Sequence, residues 1–170
     1  MFARASGAMK ERAFEAPILV GGAAAELYSG SAINTGDFDV VTSRQDAFED
    51  ALVALGFERP IGKGHTFTGM LHPALKLGFE VVSSVLLDGA ADRERVRIFT
   101  LGKDGIVAVI ALEDMIADRL GQYASGTAPE MLQQARLLFA LSDRLDLAYL
   151  ECRIHQETVG DYGLAALKDS

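Results

Sequence analysis

Short apolar runs broken by Gly, Pro, Asn and Asp fill the first part of the chain, and helical spacing replaces them towards the C-terminus. Ile18, Leu19 and Val20 followed by Gly21 and Gly22 predict a buried strand that stops at a glycine turn. Strong helix formers then occupy 23–28. A second strand is predicted over 38–41. Residues 45–55 place Phe48, Ala51, Leu52 and Leu55 at helical spacing, with Gly56 just past the end where a helix most readily stops. Further strands are predicted over 77–82, 95–99 and 106–110. Beyond them the apolar period lengthens from about 2 to about 3.6 residues. That change predicts a helix over 113–123, a break at 125–129, and helices over 130–141 and 146–157. The first of the last two carries Leu132, Ala135, Leu138 and Phe139 on one face.

These elements imply an α/β fold of the α+β kind: a mixed sheet with flanking helices, then a helical C-terminal bundle. The expected division is an α/β core over 1–111 and a helical region packed on it over 112–170. With 170 residues and 49% apolar content, the chain can bury a sizeable core, which excludes a disordered tail protein.

Charge narrows the partners. Sixteen Lys and Arg against 24 Asp and Glu leave a net charge of −8, which argues against binding nucleic acid through bulk positive charge. A local basic strip stays open, because Arg93, Arg95 and Arg97 alternate and would share one face of a strand. Such a strip either recruits an RNA acceptor or a triphosphate, or is a charged solvent face that discourages edge pairing. The single cysteine, Cys152, excludes an intrachain disulfide and a Cys-based metal framework. The longest wholly apolar run, 106–112, falls far short of the roughly 20 residues of a spanning helix, and residues 1–16 lack the apolar centre of a leader. The expectation is a cytoplasmic protein with no membrane partner.

Chemistry concentrates between Ile18 and Val41. In a strand, Asp37 and Asp39 project to the same face, close enough to share divalent cations. Two ionised carboxylates so placed repel one another unless solvated or bridged by a cation, and hard oxygen donors select Mg²⁺ or Mn²⁺. The glycine turn that opens the preceding helix exposes backbone N–H groups at a positive helix end, where phosphates bind. Other owners of an Asp-x-Asp fit poorly. An EF-hand loop starting at Asp37 would need an oxygen ligand where Val41 stands and glycine where Thr42 stands. Aspartyl-phosphate enzymes place the pair after an apolar strand, whereas a turn-like Asn34-Thr35-Gly36 precedes Asp37.

The pattern apolar-Gly-Gly, short helix, then Thr-x-Asp-apolar-Asp-apolar resembles the minimal nucleotidyltransferase superfamily, which includes the transferase partner of abortive-infection toxin–antitoxin pairs. The resemblance spans roughly residues 17–124. It implies a third carboxylate on a later strand, and Glu80 between Phe79 and Val81 fits that position. It further implies Mg²⁺ or Mn²⁺ held by Asp37, Asp39 and Glu80, a nucleoside triphosphate whose phosphates meet Gly21 and Gly22, and a turn ordered by Thr35. The implied activity is transfer of a nucleotidyl group to a hydroxyl of RNA, protein or a small molecule, with RNA disfavoured by the net charge. Ile33 stands where many relatives carry Arg, and Gly21-Gly22 where many have Gly-Ser. A catalytically degenerate nucleotide-binding or protein-interaction module on the same fold is therefore the alternative, and a plain α/β domain with a structural cation is a third reading. Gly62-Lys63-Gly64-His65 lacks phosphate-loop spacing and reads as a hairpin turn, or as a turn from which Lys63 or His65 touches phosphate or acceptor. His72 before Pro73 reads as a loop residue. Arg119 lies near a position where many relatives carry Lys.

Overall fold

In the computed structural model, which describes residues 1–33, 37–59 and 69–168, the predicted strands join one mixed sheet. Six strands are present among the described residues: β1 (Ile18–Val20), β2 (Asp37–Val41), β3 (Met70–His72), β4 (Leu77–Ser83), β5 (Arg97–Thr100) and β6 (Ile106–Val109), in the order β3-β4-β2-β1-β6-β5. β1 pairs antiparallel with β2 and parallel with β6, and β2 pairs parallel with β4. The two antiparallel hairpin pairs, β3 with β4 and β5 with β6, close the ends. The helices are α1 (Phe2–Glu11), α2 (Gly21–Ser29), α3 (Gln45–Ala54), α4 (Leu112–Ala124), α5 (Met131–Ala140) and α6 (Leu147–Glu157). Among the described residues, no helix is long and apolar enough to cross a membrane.

The chain forms two compact units, Met1–Ala24 with the described part of Asn34–Ile110, and Ala25–Ile33 with the described part of Ala111–Ser170. In the first unit, strand alternation sorts aromatic from acidic positions. Phe38 on β2 sits opposite Phe79 on β4, with ring centroids 5.0 Å apart. Phe79 also meets Phe2 at 5.7 Å and Phe57 at 5.4 Å. The positions of Asp37, Asp39 and Glu80 fall on the other face, because side chains alternate along a strand. Pairs of this kind each add about 0.5–1.5 kcal/mol beyond area burial, so the aromatic face anchors the strand that carries the acids.

Besides β3, α1 is the element that the pattern along the sequence does not announce. Its apolar positions do follow helical spacing: Phe2, Ala5 and Met9 are all buried, and the helix packs on α3 and β6. Two expectations are corrected. Residues 93–95 form a 3₁₀ turn and β5 starts only at Arg97, so the three arginines do not share a strand face. The Asp92 side chain accepts the Glu94 amide and fixes that turn, and Arg93 pairs with Glu15 at 2.6 Å. His72 ends β3 rather than lying in a loop. It pairs with Leu77 across the hairpin, and its Nδ1 accepts the Leu75 amide at 3.2 Å.

In the second unit, α4 packs against both α5 and α6 through Ile116, Leu120, Leu138, Leu150 and Ile154, all buried. A charged pair lies inside this apolar contact. Asp114 is 0% and Arg153 1% exposed, and the Arg153 Nε donates to Asp114 Oδ1 at 2.7 Å. The Tyr149 hydroxyl lies 2.9 and 3.1 Å from the two carboxylate oxygens, and Arg153 donates onward to Gln156 and Glu157. Burial pushes the Asp114 carboxyl above its ordinary range, while the Arg153 and Tyr149 bonds pull it back. Burial likewise raises Asp118 above its ordinary 3.8, opposed by Arg119 and by the hydrogen bond from Gln122.

Removing one member of a buried pair strands the other. Arg153→Met is expected to lose about 3–5 kcal/mol in urea unfolding, and a loss under about 1 kcal/mol would contradict the pairing. A carboxyl with a raised folded-state pKa stabilises the fold below its unfolded value and loses that contribution as pH rises through the folded value. Asp118→Asn should therefore raise the urea midpoint at about neutral pH, with the gain shrinking as the pH falls towards 3.8. A pH-independent difference between the two proteins would show that burial does not perturb Asp118.

Candidate functional site

β2 enters the sheet at Asp37 because the strand begins on the first carboxylate, and its parallel pairing with β4 sets the register of the acids. Asp39 lies directly opposite Glu80, and Asp37 opposite Gly78. Directly paired positions on neighbouring strands share a face, and strands lie about 4.8 Å apart. Two of the three predicted acidic positions are thus immediate neighbours across the sheet, and the third lies one alternation away. On the other side Asp39 pairs with Val20, the last residue of β1, so the acids sit beside the glycine bend.

The contact between bend and acid is close. Gly21 has φ +61°, a backbone conformation that side-chain-bearing residues rarely adopt. A Cβ built there would come within 3.0 Å of Asp39 Cβ and Cγ and overlap Oδ2. The Asp39 carboxylate therefore occupies the space that any other residue at 21 would fill. Glycine is required twice, for the bend and for the carboxylate. The first-turn amides of α2, which have no intrahelical acceptors, start at this same bend.

Glu80 takes its meaning from its position opposite Asp39. β4 buries Gly78 and Phe79 but leaves Glu80 half-buried and Val82 exposed, so one face of the strand is open. Like charges at directly paired positions repel, and a divalent cation answers both. The chemistry of the donors suits a hard cation: carboxylate oxygens, with no sulfur or imidazole at the paired positions. Among the described residues no group of three acidic, His or Cys side chains is arranged to hold a metal ion. The Asp37 side chain, Thr35 and the 62–65 segment with Lys63 lie outside the described side chains.

Ile33 is 9% exposed and its amide donates to the Ser29 hydroxyl at 3.0 Å. Its position is an apolar packing position at the close of α2. Arg119 is also buried, with its Nη1 3.4 Å from Asp118 Oδ2. Spacing does not disclose that Asp39 itself demands Gly21, because the two residues are distant in sequence and meet only through the β1–β2 pairing. The aromatic backing at Phe38 is legible from the alternation Asp-Phe-Asp.

No protein-family model matches the sequence, and no curated protein does. Solved structures do match in fold. The antibiotic-resistance factor ANT(2'')-Ia in solution aligns over 90% of this chain and 86% of its own, with TM-score 0.54 and 17% identity. An antigenic nucleotidyltransferase-like protein from Paracoccidioides brasiliensis aligns over 95% and 88%, with TM-score 0.57 and 16% identity. The crystal structure of ANT(2'')-Ia in complex with adenylyl-2''-tobramycin aligns over 92% and 94%, again at TM-score 0.57 and 16% identity. These likenesses show a nucleotidyltransferase-like fold.

The double requirement at Gly21 can be separated by comparison with Gly30, whose φ is +59° but where a Cβ meets nothing within 4 Å. Gly30→Ala is expected to cost about 1 kcal/mol for the backbone alone. Gly21→Ala should cost at least about 1 kcal/mol more and shift the Asp39 amide resonance. Equal costs would show that the Asp39 contact carries no weight.

Proposed function

We propose that this chain, whose fold is nucleotidyltransferase-like, transfers a nucleotidyl group from a nucleoside triphosphate to a hydroxyl acceptor. The observation that carries the reading is the placement of Asp39 opposite Glu80 and against the Gly21 bend. Asp37, Asp39 and Glu80 are the residues that would hold Mg²⁺ or Mn²⁺, being hard oxygen donors at positions of one sheet face. When bound, the divalent ions neutralise triphosphate charge and lower the pKa of the acceptor hydroxyl. Residues 1–111 are the catalytic part in this reading, and 112–170 the helical part.

The remaining residues bind and orient. Gly21 and Gly22 offer backbone amides at the opening of α2 to the β and γ phosphates, as helix N-termini do for anions. Thr35 orders the turn before Asp37, and Lys63 adds a cation for the phosphates. In this reading Glu80 takes the acceptor's proton as the hydroxyl oxygen attacks the α-phosphorus. Pyrophosphate leaves. Among acceptors, a small molecule is favoured over RNA because a net charge of −8 repels a phosphate backbone. A structural neighbour bound to adenylyl-2''-tobramycin supports that acceptor class.

The buried Ile33 favours a second reading, a degenerate module that binds nucleotide without transferring it. One calorimetric comparison separates the readings. ATP, GTP, CTP and UTP are titrated with Mg²⁺ into the wild-type chain and into Asp37→Ala/Asp39→Ala. The account expects metal-dependent binding of at least one nucleotide, weakened at least about a hundredfold in the double variant, with pyrophosphate release when an acceptor is supplied. Binding without pyrophosphate across acceptor classes supports the degenerate module. Binding unchanged by the double substitution would overturn the metal roles.

A further inference from the structure

We infer that the reverse side of the acidic strand carries a pocket for a small zwitterionic amphiphile, a molecule with an apolar body and a head bearing one anionic and one cationic group. The pocket lies wholly within the first unit and does not use the acidic face. A cavity of about 430 Å³ opens beside Phe38, on the aromatic side of β2. Phe38, Leu77, Phe79 and Val107 line it from the strands, and residues of the first turn of α1 and Leu101 line it from the sides. Its size falls in the roughly 300–1,000 Å³ range of small-molecule sites, and like them it is mainly apolar with few polar groups.

The aromatic packing stops short at this point. Phe79 is 3% and Phe2 7% exposed, yet Phe38, in ring contact with Phe79, stays half-buried because the cavity lies against it. Leu101 is 53% exposed on the same lining. An apolar body seated here would remove that surface from water, which is favourable in proportion to the apolar area covered.

The head group follows from charge. Arg4 and Asp104 carry the two charged side chains of the lining, and both are exposed. Neither makes a side-chain hydrogen bond or ion pair among the described residues, with each other or with a third group. An anionic ligand would answer Arg4 but meet repulsion from Asp104, and a cationic ligand the reverse. A head with both charges answers both, as a carboxylate does for a guanidinium and an ammonium for a carboxylate. An aromatic α-amino acid is a molecule of this description, with a ring that can lie against Phe38. Phe38 stands between Asp37 and Asp39, so a ligand against its ring bears on the strand that holds both.

The test is a titration of the isotope-labelled full chain, followed by backbone amide shifts. L-Tryptophan and L-phenylalanine are the zwitterionic probes; indole-3-propionate, tryptamine and indole carry one charge or none. Saturable shifts at Phe38, Phe79, Leu101 and Val107 are expected with the amino acids, and at least tenfold weaker binding with the other three. Arg4→Gln and Asp104→Asn should each weaken amino-acid binding at least tenfold while leaving the urea midpoint unchanged, since both side chains are exposed. Leu101→Trp, which fills the cavity from an exposed position, should abolish the shifts. No saturable shift at these four residues with either amino acid would overturn the proposal. Equal binding of indole, or charge variants that bind as tightly as wild type, would overturn the head-group assignment and the proposal with it.

Discussion

The Asp39 carboxylate rests where residue 21 has no side chain, and the sequence around both residues answers to that contact. It requires glycine at the end of β1, a left-handed backbone at that glycine, and a register that sets Asp39 opposite Val20. The same register sets Asp39 beside Glu80 through β4. A carboxylate packed against the start of a helix faces N–H groups rather than carbonyls. A local close approach thereby brings an acid and the first-turn amides of α2 to one place.

Strand periodicity then divides the labour between two sides of the same residues. Positions 37, 39 and 80 fall on one face, while Phe38 and Phe79 lock the strands together on the other. Repulsion among the acids is opposed by aromatic packing on the opposite face. The second unit uses a different device. Its helices enclose Asp114 and Arg153 within an apolar contact, where the pair is tolerated only because each partner is held by further hydrogen bonds. Such a pair sets which helix faces meet, since any other docking would leave a charge buried alone.

Much of this was legible in the residues. Ile18-Leu19-Val20 before two glycines located β1 and the start of α2, and the Asp-Phe-Asp alternation distinguished the two sides of β2. Glu80 could be picked out as an acid in an apolar strand, although it is half-buried, and its weight comes from lying opposite Asp39. Pairing order was not legible, because parallel neighbours such as β2 and β4 are joined through intervening elements that leave no local trace. α1 was hidden for another reason: Phe2, Ala5 and Met9 form a narrow apolar stripe among charged residues and small ones. The arginines at 93, 95 and 97 alternate like a strand, but Asp92 captures the Glu94 amide and turns the chain before β5 begins. A local hydrogen bond of that kind outweighs a periodicity carried by only three residues.

The central claim is that one cation-binding spot lies between the glycine bend and the paired acids. Substoichiometric Mn²⁺ added to the labelled chain tests it most directly, since the paramagnetic ion broadens amide signals near where it binds. The account predicts selective broadening at Gly21, Gly22, Asp39 and Glu80, reversed by excess Mg²⁺. Broadening centred elsewhere, or none at these four amides, would contradict it.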